Sequence, residues 1–416
     1  MQATALKADA TPRPQVAFTG YQKFVVALLA FLQFTIILDF MILSPLGAIL
    51  MPALHITPVQ FGTVVSVYAF SAGASGLLSA GFADSYDRKK LLLFFYTGFV
   101  LGTLMCGLAP TYHMLLAARM LTGLFGGVIG SVVFAIITDL FSFELRGRVM
   151  GRIQTAFAAS QVLGIPAGLY FSNHWGWHAP FLMIVAFSSV AGIIMWMKME
   201  PITKHLEIRK DHSALQHMAN TLKKPRYLFA FAATALLSIG GFMLMPFGSA
   251  YTVNNLGIHI DQLPMIYLVT GICSIFMGPT IGWASDKFGK YKMFVFGTSL
   301  TMVMVYIYTH LGITPVGMVI VVNAIMFVGI FSRMIPSQAL MSAIPSPESR
   351  GSFMSVSSSL QQVAGGIASV VAGWIVVEGE GGILEHFDTV GFVVIGTSAL
   401  TLFMMYFIHR MVPERS

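Results

Sequence analysis

The 416-residue chain is 56% hydrophobic and only 10% charged, and its formal net charge is +7. Because soluble domains usually contain about 25% charged residues, this composition excludes an ordinary water-soluble globular protein. The two cysteines, Cys106 and Cys273, both lie in apolar segments, and they therefore predict no disulfide framework.

Twelve apolar runs are long enough to form membrane-spanning helices, each of which needs about 20 mostly apolar residues. We refer to them as spans 1 to 12. In chain order the predicted spans occupy residues 24–48, 59–82, 91–110, 112–138, 149–171, 178–198, 227–251, 263–284, 291–310, 315–340, 353–376 and 389–409. Span 1 is too long for the apolar region of a signal peptide, and eleven spans follow it, so no cleaved leader is predicted.

Outside the spans, lysine and arginine are confined to one side of this arrangement. They occur in the N-terminal tail, in the loops after the even-numbered spans and in the C-terminal tail, whereas the loops after the odd-numbered spans contain neither. By the positive-inside rule, both termini are therefore predicted to lie in the cytoplasm. The same distribution accounts for the net positive charge, so we predict no nucleic-acid partner.

The loops after spans 2 and 4 have counterparts after spans 8 and 10. Asp84 corresponds to Asp286, and the Glu-x-Arg-Gly sequence at 144–147 corresponds to that at 348–351, at nearly the same offset. The chain is therefore predicted to consist of two six-span halves, and repeated halves are typical of secondary transporters. The predicted units are residues 1–199, a cytoplasmic linker at 200–224, and residues 225–416.

The duplicated loop, Gly-x-x-x-Asp-x-x-Gly-(Arg/Lys), resembles the signature loop of the major facilitator superfamily. The second copy is intact, whereas Ala80 and Asp87 replace the two glycines of the first copy. The resemblance implies the major facilitator fold: an all-α integral membrane protein with twelve transmembrane helices in two pseudo-symmetric six-helix bundles.

Two further motifs resemble those of particular branches of that superfamily. Leu115, Arg119 and Gly123 in span 4 resemble a motif of its proton-driven members. The segment 164–168 in span 5, which contains Pro166, resembles the Gly/Pro motif of its efflux branch. The resemblance thus implies the proton-coupled drug or sugar efflux branch, the drug:proton antiporters.

Asp39 and Arg119 are charged residues within apolar spans, where a charge costs at least about 2.5 kcal/mol. At about 1.5 Å per residue, Asp39 lies about 22 Å above the inner boundary and Arg119 about 10 Å below the outer one, in a layer about 30 Å thick. Opposite charges at similar depth predict an ion pair. We hypothesise that Asp39 carries the coupling proton and that Arg119 responds to it; the alternative is a structural pair that fixes helix packing.

Other charged residues are predicted to form a cytoplasmic gate. The resemblance implies that Asp84 faces the start of span 11 and Asp286 the start of span 5, with Arg88 and Lys290 adding charge pairing. The alternative for the basic residues is that they only set the topology. Arg333 is expected about 27 Å into span 10, near the inner boundary, where it reaches water, belongs to the gate or attracts anionic substrates.

Uncharged residues within the spans supply further candidates. Substrate contact or hydrogen bonding between helices is predicted for Gln161, Asn254, Asn323 and Gln362. Small faces let helices approach closely, and three Gly-x-x-x-Gly pairs predict such contacts. These pairs are Gly123/Gly127, Gly164/Gly168 and Gly278/Gly282.

The sequence therefore predicts a proton-coupled secondary transporter that exports small organic compounds by alternating access. A proton-coupled importer, a uniporter, a lipid exporter and a non-transporting receptor are the alternatives. The sequence contains no phosphate-binding Gly-x-x-x-x-Gly-Lys-(Ser/Thr) loop and no His-Glu-x-x-His motif, so we predict no enzyme, metal or cofactor. The expected partners are a small-molecule substrate, protons and membrane lipid, and the protein is expected to be a monomer in a bacterial inner (plasma) membrane.

Overall fold

The computed structural model describes residues 18–79, 82–207, 221–346 and 349–411. Almost all of them are helical, and ten of the described helices are long and apolar enough to cross a membrane. These ten are the predicted spans other than 5 and 11. Residues 208–220 of the predicted linker lie outside the described residues.

In the N-terminal half, the helices follow the predicted spans with small shifts at their ends. Span 1 consists of Gly20–Ile42 and Gly47–Leu54, span 2 of Pro58–Ser79, span 3 of Arg88–Gly107, span 4 of Tyr112–Leu140 and span 6 of Ala179–Lys198. Span 5 runs from Phe143–Ala159 through a π-helical turn at Ser160–Gly164 into Ile165–Trp175.

The C-terminal half repeats this order. Span 7 consists of Pro225–Phe242 and Gly248–Asn254, span 8 of Leu263–Phe288, span 9 of Lys290–Thr309, span 10 of Val316–Ser342, span 11 of Arg350–Ile375 and span 12 of Phe387–Met411. A short antiparallel hairpin, Val377–Glu378 with Leu384–Glu385, joins spans 11 and 12 on the outer side. The chain therefore has the predicted all-α fold of twelve spans.

Spans 5 and 11 are membrane-length helices of more polar composition. Span 5 begins with a charged turn, in which Arg146, Arg148 and Arg152 precede its apolar part. Span 11 is rich in serine and glutamine along its first half. Both helices contact the opposite half of the molecule, span 5 against span 8 and span 11 against span 2.

Spans 1 and 7 are interrupted at equivalent places. Non-helical residues occupy 43–46 in span 1 and 243–247 in span 7, and each break contains a proline, Pro45 or Pro246. Proline has no N–H group to donate to the helix, so a break at each position is expected. The short outer helices beyond the two breaks pack against each other across the halves.

Two of the three predicted glycine pairs form close contacts. Gly123 and Gly127 meet the backbone of span 2, and Gly164 and Gly168 meet side chains of span 1. The prediction is wrong for Gly278/Gly282, because a side chain added at either residue would meet no described atom within 4 Å. The Gly-x-x-x-Gly motif indicates a helix that another helix can approach closely, but it does not show that another helix packs there.

Candidate functional site

A fully buried ion pair lies inside the N-terminal half. Arg119 Nη1 donates to Asp39 Oδ2 at 2.8 Å and to the Asp39 carbonyl oxygen at 3.3 Å. Thr103 Oγ1 donates to the other carboxylate oxygen at 3.2 Å. Asp39 is 0% exposed and Arg119 is 1% exposed. The predicted pairing of spans 1 and 4 is therefore present, while its role in proton coupling stays a prediction.

The Arg119 guanidinium is only partly satisfied by hydrogen bonds. Its Nε atom is buried and has no hydrogen-bond partner among the described residues. Instead, its central carbon lies 4.4 Å from the centroid of the Tyr68 ring, which is a cation–π contact. The pair is electrically neutral as a whole, and removal of either charge would leave the other one buried.

Aromatic contacts lead from this pair to the opposite half. The Tyr68 ring lies 5.3 Å from Phe40, and Phe40 lies 5.9 Å from Phe242 of span 7. Phe242 in turn lines the central cavity. One cation–π contact and two ring–ring contacts therefore connect Arg119 with a residue of the cavity wall.

The central cavity lies between the halves and has a volume of about 400 Å³. Spans 1 and 5 of the N-terminal half contribute a small part of its wall, and spans 7 to 11 of the C-terminal half supply the rest. Most of its surface is apolar. Its longer polar side chains are Gln161, Asn323, Arg333, Gln338 and Gln361.

The outer side of the cavity is closed by the breaks in spans 1 and 7. Ser44 Oγ donates to the carbonyl oxygen of Met245, and Ser249 Oγ donates to the carbonyl oxygen of Ser44 at 2.9 Å. Next to them, Phe61 and Phe247 form an edge-to-face ring contact. The interrupted helices therefore satisfy each other's free backbone groups across the boundary between the halves.

Spans 5 and 8 are joined by hydrogen bonds near their outer ends and near the middle of their length. Asn173 Nδ2 donates to Asp261 Oδ1 at 3.3 Å, and Ser274 Oγ donates to Gln161 Oε1 at 3.1 Å. Gln161 belongs to the π-helical turn of span 5. By contrast, Asp286 and Lys290 at the cytoplasmic end are exposed, and no described residue pairs with either of them.

The structure places the predicted substrate contacts differently. Gln161 and Asn323 line the cavity, whereas Asn254 and Gln362 do not. Asn254 ends span 7 at the outer surface, where its Nδ2 donates to Gly382 of the hairpin at 2.7 Å. Gln362 faces span 2 beside Gly73, and the adjacent Gln361 lines the cavity instead.

The predicted gate residues are not joined across the halves by the described contacts. Arg88 is buried in the N-terminal half, where its Nε pairs with Asp139 Oδ2 at 3.0 Å and its Nη1 donates to the Ala83 carbonyl at 2.6 Å. Since Asp139 is on span 4, this pair holds the loop after span 2 to its own half. The side chain of Asp84 lies outside what the structure describes.

Arg333 is buried, whereas one of the expected alternatives was that its side chain reaches water. It is 5% exposed, its Nη1 donates to Ser398 Oγ at 3.2 Å, and its Nη2 donates to the Leu237 carbonyl at 3.4 Å. Its partners on spans 7 and 12 hold the side chain inside the C-terminal half, so it does not extend to the water beyond the membrane surface. Arg333 therefore lines the cavity.

Sequence reasoning missed the residues of the outer closure, Ser44, Met245 and Ser249. The signal that identifies them is the pair of prolines, Pro45 and Pro246, at equivalent positions of the two halves. Interrupted helices at corresponding positions are the best sequence indication of a transporter's central site. The cation–π partner Tyr68 had no such signal.

Comparison with known proteins agrees with this architecture. The family model for the Major Facilitator Superfamily matches residues 29–251 and 230–416. The chain is 25% identical to the uncharacterized MFS-type transporter YceJ of Bacillus subtilis over 346 residues, which are 82% of this chain and 87% of that protein. It is 31% identical over 132 residues to multidrug resistance protein 3 of the same organism, covering 32% of this chain and 26% of that protein.

A solved structure shows the same fold. It is the crystal structure of a bacterial homolog of the human lysosomal transporter Spinster, in an inward-facing and unoccupied conformation. The match covers 96% of this chain and 100% of that chain, with a TM-score of 0.78 and 14% sequence identity. At 14% sequence identity, this structural similarity shows a shared fold and no further property.

Proposed function

Because the chain belongs to the major facilitator superfamily, we propose that it is a proton-coupled secondary transporter that exports small organic compounds by alternating access. The observation that carries the proposal is the buried Asp39–Arg119 pair at 2.8 Å. A charged pair inside a membrane domain is costly, and intramembrane acids of this kind are the usual carriers of protons in transporters. The protein would act as a monomer in a bacterial inner membrane.

Protonation of Asp39 is the step that would connect proton movement with the shape of the cavity. A neutral Asp39 no longer attracts Arg119, so the guanidinium would lose its strongest partner and shift against Tyr68. Tyr68 would pass this shift to Phe40 and then to Phe242 of the other half. The proton would thereby favour one arrangement of the halves over the other.

Three observations support export over uptake. The Gly/Pro segment 164–168 of span 5 resembles the efflux motif, and both of its glycines pack against span 1. One relative that matches part of the chain is named a multidrug resistance protein. An apolar cavity with few polar groups suits the organic compounds that such pumps carry.

Proton flux in proteoliposomes tests this function. The purified protein is reconstituted with a trapped pH dye, and drugs, sugars and lysolipids are added in turn. We expect at least one compound to trigger proton movement, and we expect Asp39→Asn to abolish that movement. Asparagine is nearly isosteric with the aspartate and can still accept from Thr103 and Arg119, but it leaves the Arg119 charge without its acidic partner. Thermal unfolding of the purified variant therefore checks that it is folded before its proton movement is compared.

Glu378→Gln is the matched control, because it removes one acid from the exposed outer hairpin without touching the buried pair. This variant should keep wild-type proton movement. Substrate flux without any proton movement would contradict proton coupling and indicate a uniporter. Unchanged proton flux in Asp39→Asn would remove Asp39 from the coupling step.

A further inference from the structure

The described wall of the central cavity carries one formal charge. Among the described residues that line it, Arg333 is the only one with a charged side chain, and none is an aspartate or glutamate. The partners of Arg333 are a serine hydroxyl and a backbone carbonyl, which are both neutral. The cavity wall therefore carries an uncompensated positive charge.

Arg333 differs in this respect from the other buried arginines. Arg119 is paired with Asp39 at 2.8 Å, and Arg88 is paired with Asp139 at 3.0 Å. A buried cation without an acidic partner is costly, because the surrounding protein does not replace its lost hydration. An anion in the cavity would supply the missing charge and would also accept the guanidinium N–H groups that its neutral partners leave free.

The face of span 10 around Arg333 fits an amphipathic ligand. Asn323, Met326, Phe327 and Ser337 line the cavity with it, and their spacing places them along one side of the helix. The polar groups can orient a head group, while the methionine and phenylalanine contact an apolar body. A volume of about 400 Å³ lies within the range of sites for small organic ligands.

We propose that the cavity binds organic monocarboxylates with an apolar body, and that Arg333 holds the carboxylate. This inference rests on the proposed function, because it names the substrate class of the proposed transport. The planar guanidinium offers two parallel N–H groups to a carboxylate, which a lysine cannot do. The apolar part of the ligand lies against spans 7, 8 and 10.

Calorimetric titration of the protein in lipid nanodiscs tests the proposal without any ion gradient. The probes are cinnamate, naphthoate and decanoate, each compared with its neutral amide, and empty nanodiscs correct for partition into lipid. We expect the carboxylate of at least one pair to bind roughly tenfold or more tightly than its amide. In Arg333→Gln this preference should disappear, while binding of the amide stays unchanged.

Arg410→Gln is the matched control, since it removes an arginine charge at the exposed cytoplasmic end of span 12. It should keep the full carboxylate preference. Arg333→Lys retains the charge but loses the paired N–H groups, so it should keep a reduced preference. If Arg333→Gln does not fold, the carboxylate preference of Arg333→Lys relative to that of the wild-type protein tests the role of Arg333.

Equal binding of acid and amide by the wild-type protein, or no binding of any acid, would overturn the proposal. A carboxylate preference that persists in Arg333→Gln would overturn it too, because the anion would then be held elsewhere. Failure of the transport proposal is distinguishable: carboxylate binding without proton-coupled flux leaves the anion site intact. Proton-coupled flux of neutral compounds alone supports transport and contradicts the anion site.

Discussion

Asp39 and Arg119 are each buried in a part of the molecule that excludes water, and their contact is what makes this burial tolerable. The carboxylate accepts from both Arg119 and Thr103, whereas Arg119 Nε has no hydrogen-bond partner among the described residues. Loss of one partner of a buried pair typically costs about 3–5 kcal/mol, while loss of both costs much less.

We therefore predict strong non-additivity between substitutions at these two positions. Arg119→Met should lower the melting temperature in detergent markedly, because it leaves the Asp39 charge without a partner. The double variant Asp39→Asn/Arg119→Met should recover part of that loss. Thermal unfolding of the two single variants and the double variant measures the coupling. Additive effects would show that the pair contributes little to stability.

The sequence was enough to predict the Asp39–Arg119 pair but not the surroundings of Arg333. The pair was predictable because helix rise converts residue number into depth, and both charges have the same depth. The side chain of Arg333 was not, because its direction depends on the rotation of span 10 and on its partners Leu237 and Ser398, which the sequence pattern does not specify. The choice between Gln361 and Gln362 depends on helix rotation, which packing against span 2 decides.

Helices approach most closely at glycine, which has no side chain. The effect of a glycine-to-alanine substitution on stability then depends on whether a neighbouring helix occupies the space of the added methyl group. At Gly123 an added Cβ would collide with the backbone of Tyr68 in span 2. At Gly282 in span 8 it would meet no atom of the described residues within 4 Å. Both glycines are within helices, where alanine is favoured over glycine by about 1 kcal/mol.

The two alanine substitutions should therefore have opposite effects. Gly123→Ala should lower the melting temperature by several degrees, because overpacking costs about 1–3 kcal/mol. Gly282→Ala should leave the melting temperature unchanged or raise it slightly. Thermal unfolding in the same detergent compares them directly. A similar loss of stability in both variants would contradict the packing described for spans 2 and 4.

The breaks in spans 1 and 7 could not be located from apolar composition alone. Apolar composition defines where a span lies, but a proline break of four or five residues leaves that composition unchanged. The breaks became recognisable as a pair only through the duplication, because Pro45 and Pro246 occupy equivalent positions. Their mutual contact through Ser44 and Met245 requires the two halves to be assembled.

For the whole molecule, composition and charge were enough to predict the fold. Twelve apolar runs, a one-sided distribution of basic residues and a duplicated loop each constrain the same arrangement. The contacts between the halves were not predictable in this way, because each half could pack against the other through several faces. The structure shows contacts at the outer ends of spans 5 and 8 and exposed charges at their inner ends.

Alternating access requires the outer and inner ends of these two spans to move in opposite directions. Spin labels at His174 and Gln262 report the outer ends, and labels at Gln154 and Lys287 report the inner ends; all four side chains are exposed. The labels are attached to introduced cysteines in a protein without native cysteines. Only Cys106 and Cys273 have to be replaced to obtain it, because the chain contains no others.

The most direct test of proton-coupled alternating access is to measure the distances within these two spin-label pairs by double electron–electron resonance. The measurement is made at high and low pH, with and without a transported compound. We predict that the outer distance increases as the inner distance decreases, and that Asp39→Asn makes both distances independent of pH. Distances that stay constant under all conditions, or that change in the same direction, would contradict proton-coupled alternating access in this protein.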